Sequence, residues 1–477
     1  MNLEKIDENC FVIKKGYKEG MNSDAIIYAN ENLIKNIEQD AINQLINITT
    51  LPGIAGPAIA MPDIHKGYGF PIGGVAAFNI EKGIISPGGI GYDINCGVRL
   101  VKTDLKKKDI EGKIKEIAYS IFRDTPVGVG SEGKIYLSDK EYEKVFKKGA
   151  KWAIENGYGS SDDIEFIESK GAIETETYSV TQKAKERGRR QLGTLGSGNH
   201  FIEVQFVDEV YDEKAAYAFG IEKDTITIMI HTGSRGFGHQ ICSDYINIML
   251  KALQKYGISL HDKELACAPF DSKEGRDYFN AMNAASNFAW ANRQILKHFI
   301  ETAFIKALKI SPNMLSAKTL YDVAHNIAKV ENHTVDGKNV KVIVHRKGAT
   351  RSFPAFNPEL PKGYMEIGQP VIIPGDMGRY SYLLYGLDGA MKKTFGTSCH
   401  GAGRLMSRAK SVEIAKRRNI KSELEKNGIL VLADLIRTIN EEMPDAYKDV
   451  KDVVEVVSNS GIAAKVARLK PLCVIKG

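Results

Sequence analysis

Five side chains that can bind metal ions are spread along this sequence. Asp93, Cys96, His200 and His231 lie beside glycine-rich segments, and His325 lies on an apparent helix. Thiolate, carboxylate and imidazole together suit zinc, manganese or iron. A spacing of three lets Asp93 and Cys96 reach one point if the neighbouring glycines turn the chain back, and a thiolate can bridge two ions. The set therefore predicts a dinuclear metal centre, although Cys96 alone also fits a buried structural cysteine and His325 a hydrogen-bonded core histidine.

His400 is the candidate reactive residue, because it stands between a polar strand-like segment and Gly401-Ala402-Gly403. We expect a loop that opens onto a helix beginning near Ala402, whose free N–H groups would bind an anion. Arg404 and Arg408 would lie on one face of that helix and contact phosphate. A neutral imidazole beside a phosphate can attack phosphorus. The loop alone is equally compatible with a general acid or a helix-capping residue at His400.

Short strands and long helices are expected to position these residues. Strand-like runs occupy 72–80, 201–207, 225–230, 340–344 and 371–373, and most of them adjoin a polar, glycine-rich stretch. Apolar residues recur every three or four positions in 280–309, in 317–331 and through most of 402–465, which is typical of helices. The sequence thus predicts a mixed α/β fold with short strands feeding glycine-rich active-site loops and a helical C-terminal region.

Composition is that of an ordinary globular protein: 477 residues, 43% hydrophobic and 26% charged. Since no linker or repeat interrupts the chain, we expect one continuous domain over 1–477. No apolar run is long enough to cross a bilayer and no signal peptide is evident, which predicts a cytoplasmic protein without a membrane partner. Six scattered cysteines exclude a disulfide framework. Basic clusters at 183–190, 346–351 and 416–418 favour a nucleic-acid backbone as partner.

Eight segments, in order along nearly the whole chain, resemble the RtcB family of GTP-dependent RNA ligases of tRNA splicing and RNA repair. They are 61–75 (MPDIHKGYGFPIGGV), 91–99 (GYDINCGVR), 192–203 (LGTLGSGNHFIE), 230–236 (IHTGSRG), 321–326 (YDVAHN), 344–351 (VHRKGATR), 399–404 (CHGAGR) and 466–477.

The resemblance assigns roles to the candidate residues. It implies a single mixed α/β domain of the family's own type, two Mn²⁺ ions bridged by Cys96, and a histidine, His400, that accepts GMP from GTP. One ion would add Asp93 and His200, and the other His231 and His325. The residues expected at the nucleotide are Asn199, Phe201, Glu203, Asp376, Ser381, Gly401, Ala402, Gly403, Tyr447 and Lys476, and those expected at RNA ends are Arg189, Arg235, Lys347 and Arg351.

The implied reaction joins a 2′,3′-cyclic-phosphate or 3′-phosphate RNA end to a 5′-hydroxyl end through an activated 3′ end. The substrates would be tRNA halves or damaged RNA, with an archease-type activator as a possible partner. The principal alternative is a dinuclear metal-dependent phosphatase or nuclease, which needs the same metal ligands but forms no histidine–nucleotide adduct. An RNA-binding protein with a degenerate site would be expected to have lost ligands, and this chain has lost none.

One segment departs from the family pattern. In Gly375-Asp376-Met-Gly-Arg379-Tyr380-Ser381, a carboxylate stands at Asp376 where a small hydroxyl residue is usual. A carboxylate near nucleotide phosphates repels them unless a cation pairs with it. The sequence leaves three accounts open: a local Asp376–Arg379 pair, an altered nucleotide preference, or a specialised repair enzyme.

Overall fold

The computed structural model describes residues 3–477, so the first two residues of the predicted 1–477 domain lie outside the described part. The strands are β1 (Glu4–Asp7), β2 (Cys10–Ile13), β3 (Ala25–Tyr28), β4 (Ala58–His65), β5 (Ile72–Asn79), β6 (Ile84–Ile85), β7 (Gly97–Lys106), β8 (Phe201–Val210), β9 (Thr225–Thr232), β10 (Ala268–Pro269), β11 (Lys318–Ala324), β12 (Asn326–Val335), β13 (Lys338–Lys347), β14 (Ala349–Arg351), β15 (Pro370–Ile373), β16 (Ser381–Gly386), β17 (Thr397–Cys399), β18 (Leu430–Ala433) and β19 (Ala463–Lys476).

The α-helices are α1 (Glu31–Ile34), α2 (Gln39–Ile48), α3 (Ile114–Asp124), α4 (Asp139–Lys148), α5 (Ala150–Glu155), α6 (Gln182–Gly188), α7 (Glu213–Phe219), α8 (Arg235–Ala252), α9 (Lys273–Leu308), α10 (Pro312–Leu315), α11 (Asp388–Lys393), α12 (Arg408–Ala415), α13 (Ile420–Lys426), α14 (Ile436–Glu441) and α15 (Val450–Asn459). At the start of several of these helices a polar side chain accepts hydrogen bonds from free N–H groups, as Ser272 does at α9 and Asp449 at α15. No helix in residues 3–477 is both long and apolar enough to span a membrane.

Two large sheets organise the fold. The first has the order β1-β2-β3-β4-β5-β13-β12, and the second has the order β11-β7-β9-β8-β19-β16-β15, with β18 added in parallel beside β19. The connection between β11 and β12 passes from the second sheet to the first, and His325 is the single residue between these two strands. His325 therefore lies where the sheets meet.

Strand order explains how distant parts of the chain reach one point. β11, β7, β9 and β8 are consecutive antiparallel neighbours in the second sheet, and Val98 pairs with His231, which in turn pairs with Phe201. Antiparallel neighbours place the end of one strand beside the start of the next. The strand ends that carry the candidate ligands therefore lie together at one end of the sheet. They are the end of β11, the start of β7, the end of β9 and the start of β8.

Helix α9 forms the main support of this sheet. Its small residues, such as Ala284, Ala285 and Ala291, allow close packing, and most of its length is buried against β9 and helices α3, α4, α5 and α8. Apolar side chains of α3, α9, β8 and β9 form one buried cluster, among them Ile121, Ile202 and Leu296.

The expected mixed α/β fold is confirmed, and so are all five predicted strands and the helix over 280–309. The helix predicted over 317–331 is wrong, because this segment forms β11 and β12. Nearly all of β11 is buried, so its two faces carry apolar residues alike and the alternation that identifies a strand is lost. The predicted helical series 402–465 is correct in part, since α12–α15 lie there but β18 and the start of β19 interrupt it.

Candidate active site

The five candidate metal ligands converge in two groups of three that share Cys96. One group is Asp93, Cys96 and His200, the other is Cys96, His231 and His325, and within each group the donor atoms all lie within 4.8 Å of one another. Cys96 Sγ is 3.2 Å from His231 Nε2 and 3.5 Å from His200 Nε2. A thiolate at this position can contact two ions at once.

Two atoms of this cluster that ordinarily accept hydrogen bonds, His200 Nε2 and Asp93 Oδ2, face each other. His200 Nδ1 donates to the carbonyl of Leu195, 3.0 Å away, so the neutral ring carries its lone pair on Nε2. That nitrogen lies 2.8 Å from Asp93 Oδ2, which is also an acceptor. Two acceptors at this distance are stabilised by a cation between them or by a second proton on the ring. The arrangement fits divalent metal ions.

The surroundings favour the metal-binding charge state at three of these residues: neutral His231, neutral His325 and ionised Asp93. His231 and His325 are buried with their Nε2 atoms 3.3 Å apart. Burial, together with neighbouring histidines, holds the pKa of both imidazoles well below the usual range, so each ring is neutral. Burial alone would raise the pKa of Asp93, but the hydrogen bond and charge of His200, the contact with Cys96 and the charge of Arg235 together outweigh it, and the pKa falls to about 2.

A buried arginine on α9 holds the segments that carry two of these ligands. Arg293 donates to the carbonyl of Asn95, at 2.8 Å, and to that of Thr232, at 2.9 Å. Its charge is balanced by Asp322 on β11, which also accepts from Arg99. Because Asn95 precedes Cys96 and Thr232 follows His231, Arg293 fixes the two segments relative to each other.

The turn between Asp93 and Cys96 does fold back, as the spacing predicted. Gly91 and Asn95 both adopt positive φ, and the N–H of Cys96 donates to the carbonyl of Asp93 at 3.0 Å. An asparagine therefore supplies part of the reversal that we expected of glycines alone, since asparagine tolerates the left-handed region better than most residues.

His400 is held by a carboxylate that the sequence argument missed. Its Nδ1 lies 2.6 Å from Asp63 Oδ2, and its backbone N–H donates to the same oxygen at 3.1 Å. Asp63 is completely buried on β4. A ring that donates from Nδ1 keeps its lone pair on Nε2, which is the form a nucleophile or general base requires. The only signal for Asp63 was its place in the segment 61–75.

The loop after His400 is not the start of a helix, so that expectation was wrong. Helix α12 begins at Arg408, and Gly403 adopts a positive φ of 76°. Gly403 packs so tightly on β4 that a Cβ atom there would lie 2.2 Å from the carbonyl oxygen of Asp63. Backbone of the loop, and not a helix end, faces the adjacent cavity. Arg404 and Arg408 still converge, because both donate to Glu442.

A cavity beside His400 brings together all of the residues that the resemblance assigned to a nucleotide. His400 lines its wall, as do His65, Arg404, Arg408 and Glu442. The predicted residues in the wall are Asn199, Phe201, Glu203, Asp376, Ser381, Gly401, Ala402, Gly403, Tyr447 and Lys476. They come from β8, β16, β19 and four loops, so this grouping depends on the tertiary fold.

Glu203 and Lys476 lie on neighbouring strands at the inner end of this cavity, since β8 pairs with β19 there. Burial raises the pKa of Glu203 to about 8, with a smaller contribution from the carboxylate of Asp376. Burial also lowers the pKa of Lys476 to about 8. A carboxylate accepts hydrogen bonds from N–H groups and an ammonium donates to oxygen or nitrogen, so the pair can read the edge of a base that presents both.

Glu442 connects three groups of the cavity wall, and no sequence motif indicated this role. Its carboxylate accepts from Arg404 at 3.2 Å, from Arg408 at 3.1 Å and from the phenol of Tyr447. The guanidinium of Arg404 also lies 5.1 Å from the centroid of the Tyr447 ring. These contacts fix the orientation of an aromatic ring that forms part of the wall.

The Asp376–Arg379 pair, one of three accounts left open by the sequence, is present. Asp376 accepts from the N–H groups of Gly378 and Arg379, and from Arg379 Nε at 2.5 Å. Arg379 also donates to the carbonyls of Pro444 and Tyr447, at 2.9 and 3.0 Å. Burial raises the pKa of Asp376, and the Arg379 charge opposes that shift. The pair ties the loop before β16 to the segment that carries Tyr447.

A second, basic cleft adjoins the metal-ligand cluster on its other side. Asp93, Asn199 and His200 lie in its wall, and Asn199 also lines the nucleotide cavity. Two predicted RNA-binding residues, Arg189 and Arg235, line this cleft together with Arg187 and Arg190. Four guanidinium groups beside the cluster suit a phosphate backbone.

The other two predicted RNA-binding residues are in the interior. Lys347 donates to the carbonyls of Tyr68 and Gly88, and Arg351 is ion-paired with Glu168 and Glu359. Neither residue lines the nucleotide cavity or the basic cleft. Their contact with RNA stays a prediction, and their charges already have partners within the protein.

The fold and the site define a class of protein: an α/β enzyme with a candidate dinuclear metal centre, a carboxylate-held histidine and a cavity lined by the residues expected at a nucleotide. Comparison with known proteins gives the family. Residues 44–477 match the family described as tRNA-splicing ligase RtcB. Relatives of that name from Archaeoglobus fulgidus, Thermococcus kodakarensis and Methanococcus maripaludis are each 50% identical to this chain, over 100% of its length and 99% of theirs. The chain belongs to the RtcB family of RNA ligases.

Proposed function

We propose that this protein joins an RNA end bearing a 2′,3′-cyclic phosphate or 3′-phosphate to an RNA end bearing a 5′-hydroxyl, with GTP as the second substrate and His400 as the residue that carries GMP. The observation that carries the proposal is the position of His400. Its ring is 4.7 Å from that of His325, centroid to centroid, and it lines the cavity that holds the nucleotide-binding candidates. One histidine thus adjoins both the metal-ligand cluster and the nucleotide cavity.

The first step uses the Asp63–His400 pair. His400 Nε2 attacks the α-phosphorus of GTP, the bond to the β-phosphate breaks, and pyrophosphate leaves. Asp63 keeps the proton on Nδ1 and stabilises the positive charge that develops on the ring. Glu203 and Lys476 bind the guanine edge, and the ring of Tyr447 stacks on the base.

Two further transfers complete the reaction. An oxygen of the RNA 3′-phosphate attacks the phosphorus held by His400, which breaks the N–P bond and gives an RNA end activated with GMP. The 5′-hydroxyl of the second strand then attacks the 3′-phosphorus and GMP leaves. Water first opens a cyclic phosphate to the 3′-phosphate. Asn199 lines both the nucleotide cavity and the basic cleft, where it can contact the reacting phosphate.

Two Mn²⁺ ions are the proposed cofactors, and the choice of manganese rests on the family. Asp93, Cys96 and His200 would hold one ion, and Cys96, His231 and His325 the other. When bound, such ions neutralise charge on phosphate oxygens during the transfers. Arg189 and Arg235, in the cleft beside the cluster, would position the RNA ends. tRNA halves or damaged RNA are the proposed substrates, and an archease-type protein is a proposed activator.

The test is to incubate the protein with Mn²⁺ and GTP labelled at the α-phosphate. We expect a labelled protein adduct that is stable in alkali, is lost in acid and is absent from His400→Ala. His298→Ala is a control, because His298 does not line either cavity. Phosphate release without an adduct under every divalent metal would instead identify a dinuclear phosphatase or nuclease.

A further inference from the structure

His239 lies on the wall of the basic cleft, and the proposed chemistry makes no use of it. It follows Arg235 by four positions on α8, and its side chain is exposed. One face of its ring is covered by Tyr92, with the centroids 4.7 Å apart and the planes 25° from parallel. Tyr92 is in turn packed edge-on against Tyr68, at 5.3 Å. The imidazole is thus the outermost ring of a short aromatic series.

The position of this series relates it to the metal-ligand cluster. Tyr92 precedes Asp93 in the chain, and both Asp93 and His239 line the cleft. The guanidinium of Arg187, also in the cleft wall, is fixed by a hydrogen bond of 3.0 Å to Gln240, the residue after His239. A cation for a phosphate and an exposed flat ring therefore lie side by side, next to the cluster.

Single-stranded nucleic acids are bound by this combination, with basic groups along the backbone and aromatic rings under the bases. We propose that the uncovered face of His239 stacks on a nucleobase of the RNA strand that occupies the basic cleft. The inference rests on the proposed function, because it assumes that this cleft holds RNA. Stacking accepts every base, so His239 would add affinity close to the reacting end without selecting a sequence.

The experiment measures equilibrium binding of a short, fluorescently labelled, single-stranded 5′-hydroxyl RNA in Mn²⁺ without GTP. We expect His239→Ala to weaken binding about five- to tenfold and His239→Phe to restore it, because phenylalanine keeps the ring. His261→Ala is the matched control, since His261 is an exposed histidine outside both cavity walls. Thermal melting checks that each variant is folded.

A second measurement identifies the stacked base. An abasic nucleotide is placed at each position of the RNA in turn. At one position near the 5′ end, removal of the base should weaken RNA binding to the unaltered protein as much as His239→Ala weakens binding of the intact RNA. The same base removal should not weaken RNA binding to the His239→Ala variant any further. Salt distinguishes stacking from a charge contact: Arg187→Ala should reduce the dependence of binding on salt concentration, whereas His239→Ala should leave it unchanged.

The stacking proposal is overturned if His239→Ala binds RNA normally, if His239→Phe fails to restore binding, or if base removal at every position adds its full effect to that of His239→Ala. Absence of RNA binding by the unaltered protein would overturn it as well. The GTP adduct at His400 needs no RNA, so a failure of stacking and a failure of the proposed histidine chemistry are observed separately.

Discussion

The metal-ligand cluster and the nucleotide cavity share a wall at His400 but are built on opposite principles. In the cluster, acceptor atoms face one another, as His200 Nε2 and Asp93 Oδ2 do at 2.8 Å. In the cavity, charged groups are already paired within the protein: Asp63 with His400, and Asp376 with Arg379. The first region needs cations from solution to be complete, whereas the second is organised before a ligand arrives. Removing a metal ligand should therefore abolish the function of the first region, whereas removing a residue that only pairs with another should weaken the function of the second.

The largest effect is expected at Cys96, the one side chain shared by both groups of donors. Cys96→Ala should remove the bridge, lower bound manganese and reduce ligation more than about 10³-fold, because both ions lose a ligand together. Metal analysis and ligation of a 3′-phosphate RNA measure the two effects. Cys267→Ala, at another fully buried cysteine, should retain metal and activity. Normal metal content in Cys96→Ala would contradict the claim that the cluster, unlike the cavity, depends on bound metal ions.

A smaller loss is expected at Asp63. Asp63→Asn removes the negative charge beside His400 and weakens control of which ring nitrogen carries the proton. We expect adduct formation to slow about 10²-fold while bound manganese is unchanged. A single-turnover measurement with labelled GTP gives the rate. An unchanged rate would show that Asp63 has only a structural role.

The pH dependence of nucleotide binding gives an effect of about tenfold. Burial raises the pKa of Glu203 to about 8, so this group is mostly protonated below pH 7 and gains its charge as the pH rises through 8. Lys476, whose pKa is lowered to about 8 by burial, loses its charge over the same range. If guanine binding needs both charges, GTP affinity should rise from pH 6, pass through a maximum near pH 8 and then fall.

His400→Ala, which cannot form the adduct, allows this affinity to be measured at equilibrium. Glu203→Gln should flatten the rise below pH 8 and leave the fall above it. A profile that does not change between pH 6 and 9 would mean that neither group titrates during nucleotide binding.

The smallest effect is expected at Asp376. Asp376→Ser removes the partner of Arg379, which then holds the Tyr447 segment less firmly. We expect the KM for GTP to rise about three- to fivefold, with little change in kcat. Asp376→Asn keeps the acceptor for the N–H of Gly378, so its KM for GTP should lie between those of the unaltered protein and Asp376→Ser. Improved GTP use by Asp376→Ser would show that the carboxylate is a handicap and not a positioning group.

The sequence predicted which residues belong to the site better than it predicted the secondary structure around them. His325 was identified as a candidate ligand, yet it was placed on a helix, because β11 is buried on both faces and its apolar pattern has no period of two. His400 was identified too, but the helix expected after it was excluded by the tight contact of Gly403 with β4. Both errors come from packing between distant segments, which local patterns do not contain.

The missed residues have the same cause. Asp63 lies more than three hundred positions before His400, and Arg293 reaches Asn95 and Thr232 from a helix in another part of the chain. No local motif identifies such partners, because the sequence does not distinguish a buried carboxylate or arginine that positions a site residue from one that does not. Only the resemblance pointed to the segment that contains Asp63, without giving it a role.

Strand β19 has a consequence for how the protein is made. It follows both β8 and β16 in the sequence, and it lies between them in the second sheet. During synthesis, one edge of β8 and one edge of β16 stay unpaired until β19 has been made, because both strands pair with β19 and not with each other. Pairing over such long stretches of chain is slow and leaves strand edges uncovered meanwhile. A nascent chain that has not yet reached Lys476 therefore has an incomplete cavity beside His400. If this cavity binds GTP as proposed, GTP should speed the final stage of refolding.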